Sequence, residues 1–165
     1  MISQDLSLLE GTLRYNIDPL GKYTDKEIKN AMKKLNFWYI CEQSNDGLDQ
    51  VVTESGMNFS MSEKQLIYAT RALLNKAKIV ILDEFTSNLD YKTEDLVNKV
   101  LFQHFKNSTI IVIAHRIKTV MKCDKVLVLN KGKVAEFDSP HVLKNKKESA
   151  FYKLYQKSYL DSTAV

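Results

Sequence analysis

The chain has 165 residues, 44% hydrophobic and 27% charged, with a formal net charge of +4. That length suits one domain of ordinary size, and the apolar fraction supports a core, which excludes wholesale disorder. No unbroken apolar run, 110–114 included, exceeds five residues, far short of the roughly 18–20 apolar residues that cross a bilayer, and Asp5 and Glu10 interrupt any secretory signal.

Along the chain, Asn16-Ile17-Asp18-Pro19-Leu20-Gly21 is a turn cluster. Residues 24–43 read as helical, with Ile28, Met32, Leu35 and Phe37 at apolar positions. A second helix is predicted over 61–75, with Leu66, Ala69, Leu73 and Leu74. Segments 78–82, 109–114 and 125–129 are short runs of β-branched residues and Leu without alternation, the pattern of parallel strands buried on both faces. Between the first two, Leu96, Val97, Val100, Leu101 and Phe105 recur at helical spacing. This predicts a strand–helix–strand unit with a right-handed crossover. Asn130-Lys131-Gly132-Lys133 predicts a turn into an alternating segment, 134–137, as an antiparallel hairpin at the sheet edge. Ser139 is a good N-cap and Pro140 a good first residue for a short helix. Lys144, Lys146, Lys147, Lys153 and Lys157 then interleave with Phe151, Tyr152, Tyr155 and Tyr159. They read as a solvated amphipathic helix, with a phosphate-backbone or lipid-surface patch as the alternative.

The basic residues are 21 Lys and 3 Arg (Arg14, Arg71 and Arg116), a usage that argues against base readout in nucleic acid. Cys41 and Cys123 have no metal-ligand spacing and read as free thiols of a reducing compartment, the cytosol.

In open parallel sheets, ligands bind at the carboxyl ends of strands. The first strand run ends in Asp83-Glu84 and the second in His115. Two carboxylates leaving an apolar strand are costly unless a cation or a proton transfer uses them. The functional reading is a nucleoside triphosphate site. Asp83 holds Mg²⁺ through water, Glu84 orients and deprotonates an attacking water, and His115 hydrogen-bonds a γ-phosphate. The alternative is that Asp83 and Glu84 only cap the next turn and His115 is a satisfied edge residue.

These segments resemble the nucleotide-binding domain of an ATP-binding-cassette (ABC) transporter. Residues 79–84 (Ile-Val-Ile-Leu-Asp-Glu) resemble its Walker B strand, and Ser87-Asn88-Leu89-Asp90 its D-loop. Ile113-Ala114-His115-Arg116 resembles the H-loop, and Ser3-Gln4-Asp5 the Q-loop. Asn58-Phe59-Ser60-Met61-Ser62-Glu63-Lys64-Gln65 resembles the signature motif. Residues 11–19, 23–28 and 136–140 narrow the resemblance to the C-type, multidrug-resistance-associated subfamily. The resemblance implies an α/β fold: a partial P-loop NTPase (RecA-like) parallel sheet with an α-helical subdomain. Its parts would be a helical subdomain at about 5–76, the Walker B and H-loop core at about 77–137 and C-terminal helices at about 138–165. It implies ATP and Mg²⁺ as cofactors, with Gln4 reaching Mg²⁺, Ser60 and Ser62 in the signature meeting a partner's nucleotide, and Asp90 contacting across the D-loop. Partners would be a second nucleotide-binding domain and ABC transmembrane domains, with no nucleic acid, at the cytoplasmic face of a membrane.

Two departures stand out. No G-x-x-x-x-G-K-[S/T] phosphate loop occurs among Gly11, Gly21, Gly47, Gly56 and Gly132. The resemblance begins at the Q-loop, so the N-terminal strands and P-loop of a cassette are missing, and the chain alone is expected to bind ATP weakly and not to hydrolyse it. The signature pattern, Leu-Ser-Gly-Gly-Gln, reads Phe59-Ser60-Met61-Ser62-Glu63. Glu63 either closes a capping box with Ser60 or weakens a phosphate site with its charge. The leading function is the energy module of an ABC exporter. The alternatives are an inactive partial cassette acting as a regulatory or interaction protein, and a DNA-repair or translation ATPase on the same core.

Overall fold

A computed structural model describes residues 6–114 and 116–163, with side chains described as far as residue 158. The chain divides between Ile113 and Ala114 into two compact units.

The first unit opens with a two-residue strand, β1 (Gly11–Thr12), that leads into helix α1 (Leu13–Ile17). Then come α2 (Asp25–Lys34), α3 (Tyr39–Glu42), β2 (Val51–Val52), α4 (Met61–Leu74), β3 (Ile79–Asp83), α5 (Tyr91–His104) and β4 (Thr109–Ile113). β1 pairs antiparallel with β2, Gly11 opposite Val52. β3 and β4 pair in parallel, from Ile79 opposite Thr109 to Asp83 opposite Ile113. The expected strand–helix–strand unit is therefore present, as is the helix over 61–75. One continuous core runs through the unit and includes Leu13, Ile28, Met32 and Phe37 with Ile67, Leu82 and Leu101.

Two expectations change here. The helix over 24–43 breaks after Lys34. Asn36 adopts a left-handed conformation (φ 52°), and the Phe37 N–H reaches back to the Met32 carbonyl at 2.9 Å. This is a helix C-terminal turn, and it swings Phe37 fully into the core. The strands are also not buried on both faces. Val80 and Leu82 join the core with Val97 and Leu101 of α5. Ile79 (62% exposed) and Ile113 (50%) are left facing solvent. An apolar run without alternation marks both faces as suited to burial, and here the described residues cover one.

The second unit contains α6 (Ile117–Val120), β5 (Val126–Asn130), β6 (Lys133–Asp138), α7 (Pro140–Leu143) and α8 (Ala150–Thr163). The sequence predicts a third parallel strand at 125–129. Among the described residues, β5 pairs antiparallel with β6 alone. The hairpin is set by Lys131 and Gly132, both at positive φ (48° and 75°), the conformation of a two-residue turn matched to strand twist. As expected, Ser139 caps α7, its Oγ accepting the Val142 N–H at 3.3 Å. Glu136 of β6 caps α8, its carboxylate accepting the N–H groups of Ala150 (2.6 Å) and Phe151 (3.2 Å). On α8, Phe151 is buried while Lys153 and Lys157 are exposed, the amphipathic character the sequence predicts. No helix among the described residues is long and apolar enough to cross a membrane.

Candidate functional site

The site candidates of the first unit lie on two stretches of backbone, the start of α4 and the end of β3 with its following turn. At the start of α4, Ser60 has extended φ/ψ and acts as N-cap. Its Oγ accepts the Glu63 N–H at 3.3 Å, and the Glu63 carboxylate accepts the Ser60 N–H at 2.7 Å. This is the capping box, and it turns the Glu63 carboxylate back onto the helix end. The same carboxylate adds to the effect of burial in raising the phenol pKa of Tyr39.

The loop before α4 is held by its own side chains. The Asn58 amide oxygen accepts the N–H and hydroxyl of Thr53, each at 3.0 Å, and its NH₂ donates to the Val51 carbonyl at 2.8 Å. Gly56 has φ 65°, and a Cβ there would lie 2.9 Å from Leu8 side-chain atoms. Glycine is thus needed for conformation and for close approach. Upstream, buried Asn16 clasps Leu9, accepting its N–H at 2.9 Å and donating to its carbonyl at 2.8 Å.

Asp83 ends β3 opposite Ile113, half-buried. Glu84 follows in a left-handed conformation (φ 45°), and its N–H donates to the Ile113 carbonyl at 2.9 Å. A non-glycine residue in this region is uncommon, and strain of this kind clusters at functional positions. The turn beyond is closed by backbone: Ser87 N–H to Glu84 carbonyl and Leu89 N–H to Thr86 carbonyl, both 3.1 Å. Phe85 and Leu89 anchor it in the core.

Asp90 is the N-cap of α5, accepting the N–H groups of Lys92 (3.0 Å) and Thr93 (3.1 Å) and the Thr93 hydroxyl (2.5 Å). The Thr93 hydroxyl, with these amides, holds the Asp90 carboxyl below its ordinary pKa. The two stretches meet where the Ser62 hydroxyl donates to the Asn88 carbonyl at 2.7 Å.

Asp83 and Glu84 therefore stand together at one strand end, and Ser60 and Ser62 together at one helix start, joined to the turn that leads to Asp90. Gln4 and His115 lie outside the described residues. Sequence reasoning read Asn16 only as part of a turn, and passed over the Asn88 carbonyl and buried Glu94, which accepts the Thr86 hydroxyl at 3.2 Å. Asn16 lies on α1 rather than in the turn the sequence suggests, and its buried amide is satisfied by backbone groups.

This chemistry suits a phosphate ligand with a hydrated cation. The first-turn amides of Met61 and Ser62 have no acceptor four residues back within α4, and a helix start of this kind attracts anions. Among the described residues no group of three or more His, Cys, Asp or Glu forms a closed metal cage. The strand-end carboxylate of Asp83 fits a cation such as Mg²⁺, which keeps most of its ligands as water and phosphate.

No protein-family model matches the chain. It is 43% identical over 162 residues to putative ABC transporter C family member 15 of Arabidopsis thaliana, covering 98% of this chain and 15% of that protein. It is 40% identical over 156 residues to ATP-binding cassette sub-family C member 4 of Homo sapiens, covering 94% and 12%. Metal resistance protein YCF1 of Saccharomyces cerevisiae is 44% identical over 155 residues, covering 93% and 10%. The chain is a homologue of the ABC transporter C family, matched over one segment of its members. The subfamily suggested by residues 11–28 and 136–140 is the one these C-family relatives carry. A solved structure of a bacterial Atm1-family ABC exporter with ATP bound superposes with a TM-score of 0.88 at 28% identity, covering 96% of this chain and 28% of that one. This chain spans 10–15% of the length of these three relatives.

Proposed function

We propose that this chain is the part of an ABC exporter's nucleotide-binding domain that carries the hydrolytic base and the signature segment. In that role it takes part in ATP binding and hydrolysis coupled to transport. One observation carries the reading: the parallel β3–β4 pair delivers Asp83 and Glu84 to one strand end, with Glu84 held in a strained conformation by Ile113. A strand-end Glu whose backbone is so fixed suits a general base, whose help contributes about 10²–10⁴-fold. Asp83 would hold Mg²⁺ through water, and what the ion supplies when bound is neutralisation of phosphate charge. Gln4 would reach toward the same ion, and His115 toward the γ-phosphate. The start of α4, with Ser60, would meet nucleotide held by a second nucleotide-binding domain, and Asp90 would serve a dimer contact.

On this reading the fold is a partial RecA-like P-loop core with a helical subdomain at about 5–76, attached at the cytoplasmic face of a membrane through transmembrane domains. The sequence has no phosphate loop, so the 165-residue chain by itself binds ATP weakly and does not turn it over.

The exposed faces of β3 and β4 leave room for a second reading, a partial cassette acting as an interaction protein. Replacing the corresponding segment of a C-family exporter with residues 1–165 separates the two. Under the first reading, the chimera hydrolyses ATP and Glu84→Gln abolishes turnover while ATP still binds. Equal turnover in the Glu84→Gln chimera overturns it.

A further inference from the structure

The signature pattern that residues 59–63 resemble has glycine where this chain has Ser62, and glycine offers no hydroxyl. Here the Ser62 hydroxyl is spent on a long-range bond, to the Asn88 carbonyl 26 residues away, at 2.7 Å. Asn88 sits in the turn between β3 and α5, and that turn is a chain of short backbone bonds. Leu89 N–H binds the Thr86 carbonyl, Ser87 N–H the Glu84 carbonyl, and Glu84 N–H the Ile113 carbonyl. At its far end Asp90 pins the turn to α5 through Thr93. The near end of the series is the second residue of α4, a helix fixed at its start by the Ser60–Glu63 box. An unbroken sequence of hydrogen bonds thus joins the start of α4 to the backbone of Glu84.

We propose that Ser62 is a positioning residue, whose hydroxyl fastens the start of α4 to the 86–90 turn so that the signature segment and Glu84 are held as one rigid part. This assigns the Ser62 side chain to the protein's own turn rather than to nucleotide. The functional consequence rests on the ATPase reading above: the segment facing one nucleotide and the base serving another move together within one chain. The bond itself does not depend on that reading.

Amide hydrogen exchange on the 165-residue chain, without nucleotide, reads the bond directly. In Ser62→Ala, exchange over residues 85–90 should rise about three- to ten-fold, the effect of losing one ordinary hydrogen bond, while residues 66–74 of α4 keep their protection. Ser62→Thr, which restores a hydroxyl, should return the turn to its original rate. In the exporter chimera, Ser62→Ala should lower kcat several-fold at unchanged ATP affinity, and Ser62→Thr should recover it. Unchanged exchange over 85–90 in Ser62→Ala, no recovery in Ser62→Thr, or unaltered kcat in an active Ser62→Ala chimera overturns the proposal. A chimera inactive from the outset counts against the ATPase reading, and the exchange measurement then decides the bond alone.

Discussion

The Glu63 carboxylate accepts the backbone N–H of Ser60 at 2.7 Å, and the Ser60 hydroxyl accepts the N–H of Glu63 at 3.3 Å. Each residue satisfies a donor that the helix leaves unpaired. Glu63→Ala removes half of this exchange and should cost about 0.5–2 kcal/mol of stability, read by urea denaturation. Glu63→Gln keeps an acceptor in place and should cost less. Because the carboxylate is turned onto Ser60, Glu63→Gln in the exporter chimera should give no gain in ATP turnover.

Gly56 and Leu8 are packed too closely for any side chain larger than hydrogen. A Cβ at Gly56 would meet Leu8 atoms at 2.9 Å, and φ is 65°. Gly56→Ala should therefore destabilise the chain by about 1–3 kcal/mol. A double-mutant cycle with Leu8→Ala checks the cause. Relief of the clash should recover part of the loss, and the remainder is backbone strain.

Asn16 makes three hydrogen bonds with backbone groups: the N–H and carbonyl of Leu9, and the Thr12 carbonyl at 3.0 Å. Asn16→Ala leaves buried polar groups unsatisfied and should cost about 2–3 kcal/mol. Asn16→Asp keeps the acceptor for Leu9 N–H but loses both donors, so its cost at neutral pH should not be smaller. Thermal melting of the two variants ranks them.

Asp90 gives a pH signature. Its carboxyl titrates below the ordinary value of 3.8 because the Thr93 hydroxyl, then the Thr93 and Lys92 amides, stabilise its charged form. A group whose folded pKa is depressed stabilises the fold above its unfolded pKa, and this is lost as pH falls through the folded value. The stability gap between the wild type and Asp90→Ala should therefore be full from about pH 5 upward and shrink as pH drops below about 4. Denaturation curves at pH 7, 5 and 3 test the sign; a gap that grows on acidification contradicts the capping role.

Much of this was legible in the residues. Pro140 after Ser139 announced a helix start, and Lys131-Gly132 a tight hairpin. The runs at 78–82 and 109–114 announced a parallel pair, since Val and Ile there are not alternated with polar residues. Asp83-Glu84 stood out because carboxylates do not belong at the end of such a run without a task. Other features were hidden because they depend on backbone conformation or long-range placement. The break after Lys34 turns on Asn36 at positive φ, which the apolar spacing of Leu35 and Phe37 disguises. The exposed side of β3 and β4 was unreadable because residue type reports what a face suits, not what covers it. The Ser62–Asn88 bond joins a side chain to a carbonyl, and a carbonyl has no sequence signature.

The segment 7–9 is riveted to the rest of the first unit at successive residues. The Tyr68 hydroxyl grips the Ser7 carbonyl at 2.8 Å, Leu8 lies against Gly56, and Leu9 is clasped by Asn16. Tyr68 and Gly56 flank the start of α4 from either side in the chain. A pull applied at Leu6 would be taken up by these three contacts and passed to the loop that leads into Ser60.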